Sequence, residues 1–118
     1  MEQIDQDDRK AQLLSGMERL KERFVQTLPE HVSAFDDLWD CLAEPTQTAA
    51  AVSEISKLAH KLHGQAGSFG FPRIGALAAQ VEKEAHVLMR AEGDVETDLL
   101  EELMAALLDE IEDNVQAE

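Results

Sequence analysis

At 118 residues and 13.1 kDa the chain has the length of one ordinary domain, and residues 1–118 read as a single unit. Hydrophobic residues make up 44% of it, but aromatics only 4% with no Tyr, so its core is aliphatic. Asp and Glu number 25 against 10 Lys and Arg, and the net charge of −15 excludes nucleic acid and anionic membranes as partners, because repulsion replaces counterion release.

The apolar spacing is helical almost throughout. Leu13, Met17, Leu20, Phe24 and Leu28 follow steps of three and four, with Leu14 and Val25 widening the stripe. Pro29 suits the first turn of a new helix, which carries Val32, Phe35, Leu38, Trp39 and Leu42. A break at Glu44-Pro45-Thr46 precedes a third run with Val52, Ile55, Ala59, Leu62 and Ala66 inward, closed by residues 67–72. The fourth run places Ile74, Leu77, Ala78, Val81, Ala85 and Leu88 on one face. Gly93-Asp94 ends it and caps a fifth, whose stripe is Leu99, Leu100, Leu103, Met104, Leu107, Ile111 and Val115. Trp39, Met89 and Met104 read as packing, Cys41 as a partly buried small hydrophobe, and His31 as an exposed first-turn residue.

Period-two alternation and hairpin dipeptides are absent. Short connections make neighbouring helices antiparallel. The expected fold is all-α: an up-and-down antiparallel four-helix bundle with an additional short or N-terminal helix. The lone Cys41 leaves no internal disulfide or cysteine zinc cage. The opening MEQIDQDDRK has the form of neither a signal nor a transit peptide, and no apolar run reaches the length of a membrane span. The expectation is a cytoplasmic monomer.

The informative stretch is KLAHKLHGQAGSFGFP, residues 57–72. On a helical wheel with His60 at zero, Gly64 falls at about +40° and Gly67 at about −20°, while Leu58, Ala59, Leu62 and Ala66 face the other way. His60 is therefore outward, followed along the axis by two positions with no side chain. Each mid-helix Gly costs roughly 1 kcal/mol relative to Ala, so stability does not explain the pair. Clearance for an external partner beside the imidazole does.

Charge marks the same segment. From Ile55 to Val81 there is no Asp or Glu in 27 residues, where about six would follow from the overall composition. Lys57, Lys61 and Arg73 give this window a charge of +3, against −7 before it and −11 after it. A phosphoryl group carries about −1.5 to −2 charges at neutral pH and is stabilised by such cations.

The run AHKLHGQAGSFGF resembles the phosphorylation motif of histidine-containing phosphotransfer (HPt) domains, close to AHxLKGxAGxxG. Its SFGF ending is similar to the phosphotransfer domain of chemotaxis-type histidine kinases. The resemblance implies a four-helix bundle that accepts a phosphoryl group on an exposed histidine and relays it between a histidine kinase and an aspartate-bearing receiver domain. By the same resemblance His60 is the phospho-accepting residue and Gly64 the small residue beside it. His63 stands where the family usually has Lys, so Lys61 or Lys57 substitutes as the phosphate-side cation. The family commonly has Gln, or in the chemotaxis type Glu, near the position of Glu82. That carboxylate would accept a hydrogen bond from His60 Nδ1–H and leave Nε2 as the nucleophile. Gln80 and His86 are weaker candidates for the same neighbourhood. Gly67, Phe69, Phe71 and Arg73 are expected on the partner-docking surface.

The chain has no P-loop and no glycine-rich nucleotide loop, so it reads as a phosphocarrier with no cofactor of its own rather than an enzyme. Mg²⁺ is expected on the partner receiver. Two other readings stand beside this one. His60, His63, Glu82 and His86 form a possible metal set of a helical bundle. Alternatively, the chain is an interaction module that carries no phosphate.

Overall fold

The computed structural model describes residues 6–116, and they form four helices: α1 (Gln6–Leu42), α2 (Thr48–Phe69), α3 (Pro72–Arg90) and α4 (Asp98–Gln116). Each helix packs on the next, and α1 also packs on α4, which closes an up-and-down ring with no strand among the described residues. Inside it Leu28, Phe35, Ile55, Leu62, Ile74, Val81, Leu100, Met104, Leu107 and Ile111 are completely buried. The fold class is the expected all-α bundle.

The additional helix is not a separate element. Pro29 lies inside α1, on its exposed side, rather than opening a second helix. Phe24, Val25 and Leu28 before the proline and Phe35 after it are all buried, so one continuous inward face spans the interruption. Packing along that face outweighs the roughly 3 kcal/mol an interior proline costs.

At 37 residues α1 is about 55 Å long against about 33 Å for the 22 residues of α2, so it overhangs the bundle. The molecule is correspondingly 70 Å long but only 28 × 19 Å across. Burial in α1 begins at Phe24; Leu13, Leu14, Met17 and Leu20 are 49–66% exposed. Their periodicity continues the bundle stripe, but the other helices do not reach them. Leu99 and Met89 are likewise half exposed, whereas Met104 is core. Trp39 is half-buried, and its Nε1–H donates to Glu101 Oε1 at 2.9 Å, tying α1 to the start of α4.

The connections set the helix ends near the candidate site. Gly70 adopts a left-handed conformation (φ +84°), and Phe71 N–H reaches back to Ala66 O at 2.9 Å, the Schellman closure of α2. Pro72 then opens α3, where its missing N–H is not needed. The start of α4 falls later than Gly93-Asp94: Thr97 O accepts from Glu101 N–H at 2.8 Å, and residues 91–97 form the connection. Gly93, also left-handed at φ +84°, turns the chain within it.

Candidate functional site

His60 stands on the outer face of α2, with its side chain 74% exposed. Its Nδ1 lies 2.7 Å from Oε2 of Glu82 on α3, whose side chain is only 18% exposed. An ionised carboxylate can only accept, so this contact holds the ring proton on Nδ1. In the neutral ring Nε2 then keeps its lone pair, directed away from Glu82. The other oxygen, Oε1, is 3.9 Å from Nδ1 of His63, one turn further along α2. That is a distance for charge attraction rather than a hydrogen bond. One partly buried carboxylate thus faces two exposed imidazoles.

The two glycines beside His60 are open. A Cβ built at Gly64 or at Gly67 meets nothing within 4 Å. Close approach between α2 and α3 occurs instead at Gly75, where a Cβ would lie 3.7 Å from Ala66 Cβ, Gly67 N and His63 O. The lane beyond His60 is bare surface, whereas at Gly75 the two helices already stand at ordinary van der Waals distance for a Cβ.

The cations of the carboxylate-free window are divided. Lys57 Nζ bonds Glu54 Oε1 at 3.2 Å, just outside the window. Arg73 Nε donates to Glu110 Oε1 at 2.9 Å, and Asn114 Nδ2 donates to the same carboxylate, so Arg73 fastens α3 to α4. The hydrogen bond it donates to Glu110 raises the pKa of that guanidinium further. Three free cations clustered about His60 are therefore not what the fold provides; of the three only Lys61 is unpaired. Lys61 lies near His31, which is half-buried rather than exposed. Burial first and Lys61 second lower the pKa of His31, with Glu30 opposing.

Phe69 and Phe71 are also committed inward. Both rings pack on Phe24, with centroids 5.4 and 5.5 Å apart, and Lys21 Nζ sits 5.4 Å above the Phe71 ring. They seal the end of the bundle from which α1 projects and leave only an edge for a partner. Gln80 is exposed on α3. His86, one turn from Glu82, joins it, Ala79, Lys83 and Arg90 in lining a shallow cleft of about 310 Å³. Lys83 and Arg90 were not among the residues the sequence singled out. Their spacing with His86 in steps of three and four on a helix adjoining the motif helix is the signal that finds them. A second concavity, about 710 Å³, lies elsewhere, at the start of α2 between Leu42, Pro45, Val52, Leu88 and Met89.

Among the described residues no three His, Cys, Asp or Glu side chains are grouped to hold a metal ion. No described helix is long and apolar enough to cross a membrane.

The family model described as Hpt domain matches residues 19–117. The chain belongs to the Hpt family. Hpt domains are phosphocarriers, which take and pass a phosphoryl group on histidine in phosphorelays and interact with kinases and receiver domains. The match leaves out most of the overhanging part of α1 and contains the whole ring of packed helices. No match to this Hpt domain was found among curated proteins or among solved structures.

Proposed function

We propose that His60 is the phosphoryl-accepting residue of this Hpt domain, and that it relays the group between a histidine kinase and an aspartate-bearing receiver in the cytoplasm. The observation that carries the reading is the 2.7 Å contact of His60 Nδ1 with Glu82 on a face kept bare by Gly64 and Gly67. The Nε2 lone pair attacks phosphorus of the receiver's aspartyl phosphate. A P–N bond forms, the P–O bond to aspartate breaks, and the carboxylate leaves with the bonding electrons. The ring retains its Nδ1 proton and becomes cationic, and Glu82 opposes that charge through the hydrogen bond. Nothing else in the step needs covalent help from the chain, because phosphoryl transfer depends chiefly on alignment and charge neutralisation.

Lys61 is the unpaired cation on the phosphate side, with His63 a second when protonated. Lys57 contributes less, since Glu54 already holds it. Mg²⁺ belongs to the receiver, whose carboxylates suit it, and the Hpt domain supplies no ligand to it. The test is incubation with a phosphorylated receiver or an active histidine kinase. Acid-labile, alkali-stable phosphate is expected on the wild type and absent from His60→Gln. Equal label on both proteins refutes the assignment.

A further inference from the structure

Between residues 24 and 116 the chain has five Lys and Arg: Lys57, Lys61, Arg73, Lys83 and Arg90. Glu54 holds Lys57 and Glu110 holds Arg73. The remaining three are exposed and form no hydrogen bond or ion pair. Two of them, Lys83 and Arg90, sit on α3 with the exposed His86 between them. Positions 83, 86 and 90 fall on one stripe of a helix. With Ala79 and Glu82 they line the shallow cleft described above. Glu82 therefore belongs both to that cleft and to the His60 contact, and the stripe leads from the site toward the end of α3. From Glu82 to Arg90 is about 12 Å along the helix axis.

We propose that Lys83, His86 and Arg90 form a docking strip for an acidic protein surface, the carboxylate-bearing rim of the receiver that exchanges its phosphoryl group with His60. The proposal rests on the reading of His60 given above. A protein that carries phosphate on aspartate and binds Mg²⁺ beside it presents several carboxylates around the reacting atom. A chain of net charge −15 repels such a surface nearly everywhere. The unpaired cations of α3 lie where that repulsion is relieved, on the face that bears His60. They act on orientation and encounter rate, so their effect is sensitive to salt. Arg90 is also favoured in the last turn of α3 by the helix dipole, which leaves Lys83 as the position that separates the two explanations.

The test measures kcat/KM for transfer from a panel of receiver domains charged with acetyl phosphate, at about 50 mM and about 500 mM salt. Lys83→Glu, Arg90→Glu and their double variant are compared with an Arg19→Glu/Arg23→Glu control, which changes net charge equally on exposed positions of α1. Labelling by phosphoramidate reports the reactivity of His60 itself in each protein. The double variant is expected to lose about tenfold or more in transfer at low salt, well beyond any change in labelling, with the gap closing at high salt. Lys83→Glu alone is expected to account for a large part of the loss, and the control to stay within about twofold of wild type. A double variant matching the control, or a loss unchanged by salt, overturns the proposal. So does a wild type that labels with phosphoramidate but exchanges with no receiver, an outcome that leaves His60 standing. A wild type that does not label at all removes the His60 reading, and the strip with it.

Discussion

Substituting Gly64 separates folding from function. A Cβ at this position meets nothing within 4 Å, so Gly64→Ala introduces no clash. The residue is well inside α2, which runs from Thr48 to Phe69, so alanine gains the full helix-propensity difference of about 1 kcal/mol. For a domain of this size that raises Tm by about 4 °C. Gly64→Leu is expected to be at least as stable as wild type, since leucine is also a good helix former and its side chain lies in solvent. Yet position 64 is four residues, about 6 Å, beyond His60 on the same face, where a leucine intrudes on any macromolecule docking over the imidazole. Thermal unfolding by circular dichroism reads the first effect, and transfer from a phosphorylated receiver reads the second. Transfer should fall by about tenfold in Gly64→Leu, the scale set by losing one well-placed contact region. Labelling by phosphoramidate, a donor small enough to enter beside the leucine, should fall far less. A Gly64→Ala protein less stable than wild type would mean that the glycine serves packing. A Gly64→Leu protein with wild-type transfer would mean that the bare lane serves nothing.

Four further outcomes are expected. Glu82→Gln can still accept from His60 Nδ1–H but cannot oppose the ring's developing charge, so transfer should slow by about tenfold, and Glu82→Ala should be slower still; equal rates in all three proteins would remove Glu82 from the mechanism. Pro29→Ala restores an interior helix donor at an exposed position and should raise unfolding free energy by up to about 3 kcal/mol in urea melts, whereas no gain would indicate a chain broken there. Arg73→Ala should lower stability slightly through the lost Glu110 contact and leave transfer at the wild-type rate; a large transfer defect would return Arg73 to the docking surface. His31 has a pKa lowered by burial and by Lys61, so the unfolded chain binds its proton more readily than the folded one. Its contribution is therefore a loss of stability as pH falls through and below the ordinary value of 6.5, and His31→Gln should flatten that part of the stability profile; an unchanged slope would assign the acid sensitivity to other groups.

What the sequence reveals and what it hides follow from the range of the forces involved. The helical period is a local property, so the inward stripes of α2 and α3 could be read directly, as could the outward placement of His60 between residues 58 and 66. Pro29 is equally local, but its effect is decided by packing before and after it, where Phe24, Leu28 and Phe35 are all buried in one core. Periodicity alone also cannot tell that Leu13 and Met17 lie beyond the reach of the other helices, because length matching between helices is a tertiary fact. The cations show the same division. Lys57, Lys61 and Arg73 stand together in sequence, yet Glu110 reaches Arg73 from 37 residues away and takes it out of the site. Lys83 and Arg90 lie outside the carboxylate-free window and join the site only through the antiparallel register of α3 on α2. Glu82 depended on that register too, since a shift of one residue would rotate it by about 100° from His60.

The central claim concerns one atom, and NMR can examine it directly. The uniformly ¹⁵N-labelled protein, phosphorylated by a charged receiver, is examined by long-range ¹H–¹⁵N correlation of its four histidine rings. The account predicts phosphorus bonded to Nε2 of His60, with the proton on Nδ1 retained against Glu82. Phosphorus on Nδ1 of His60, or on His63 or any other ring, contradicts it.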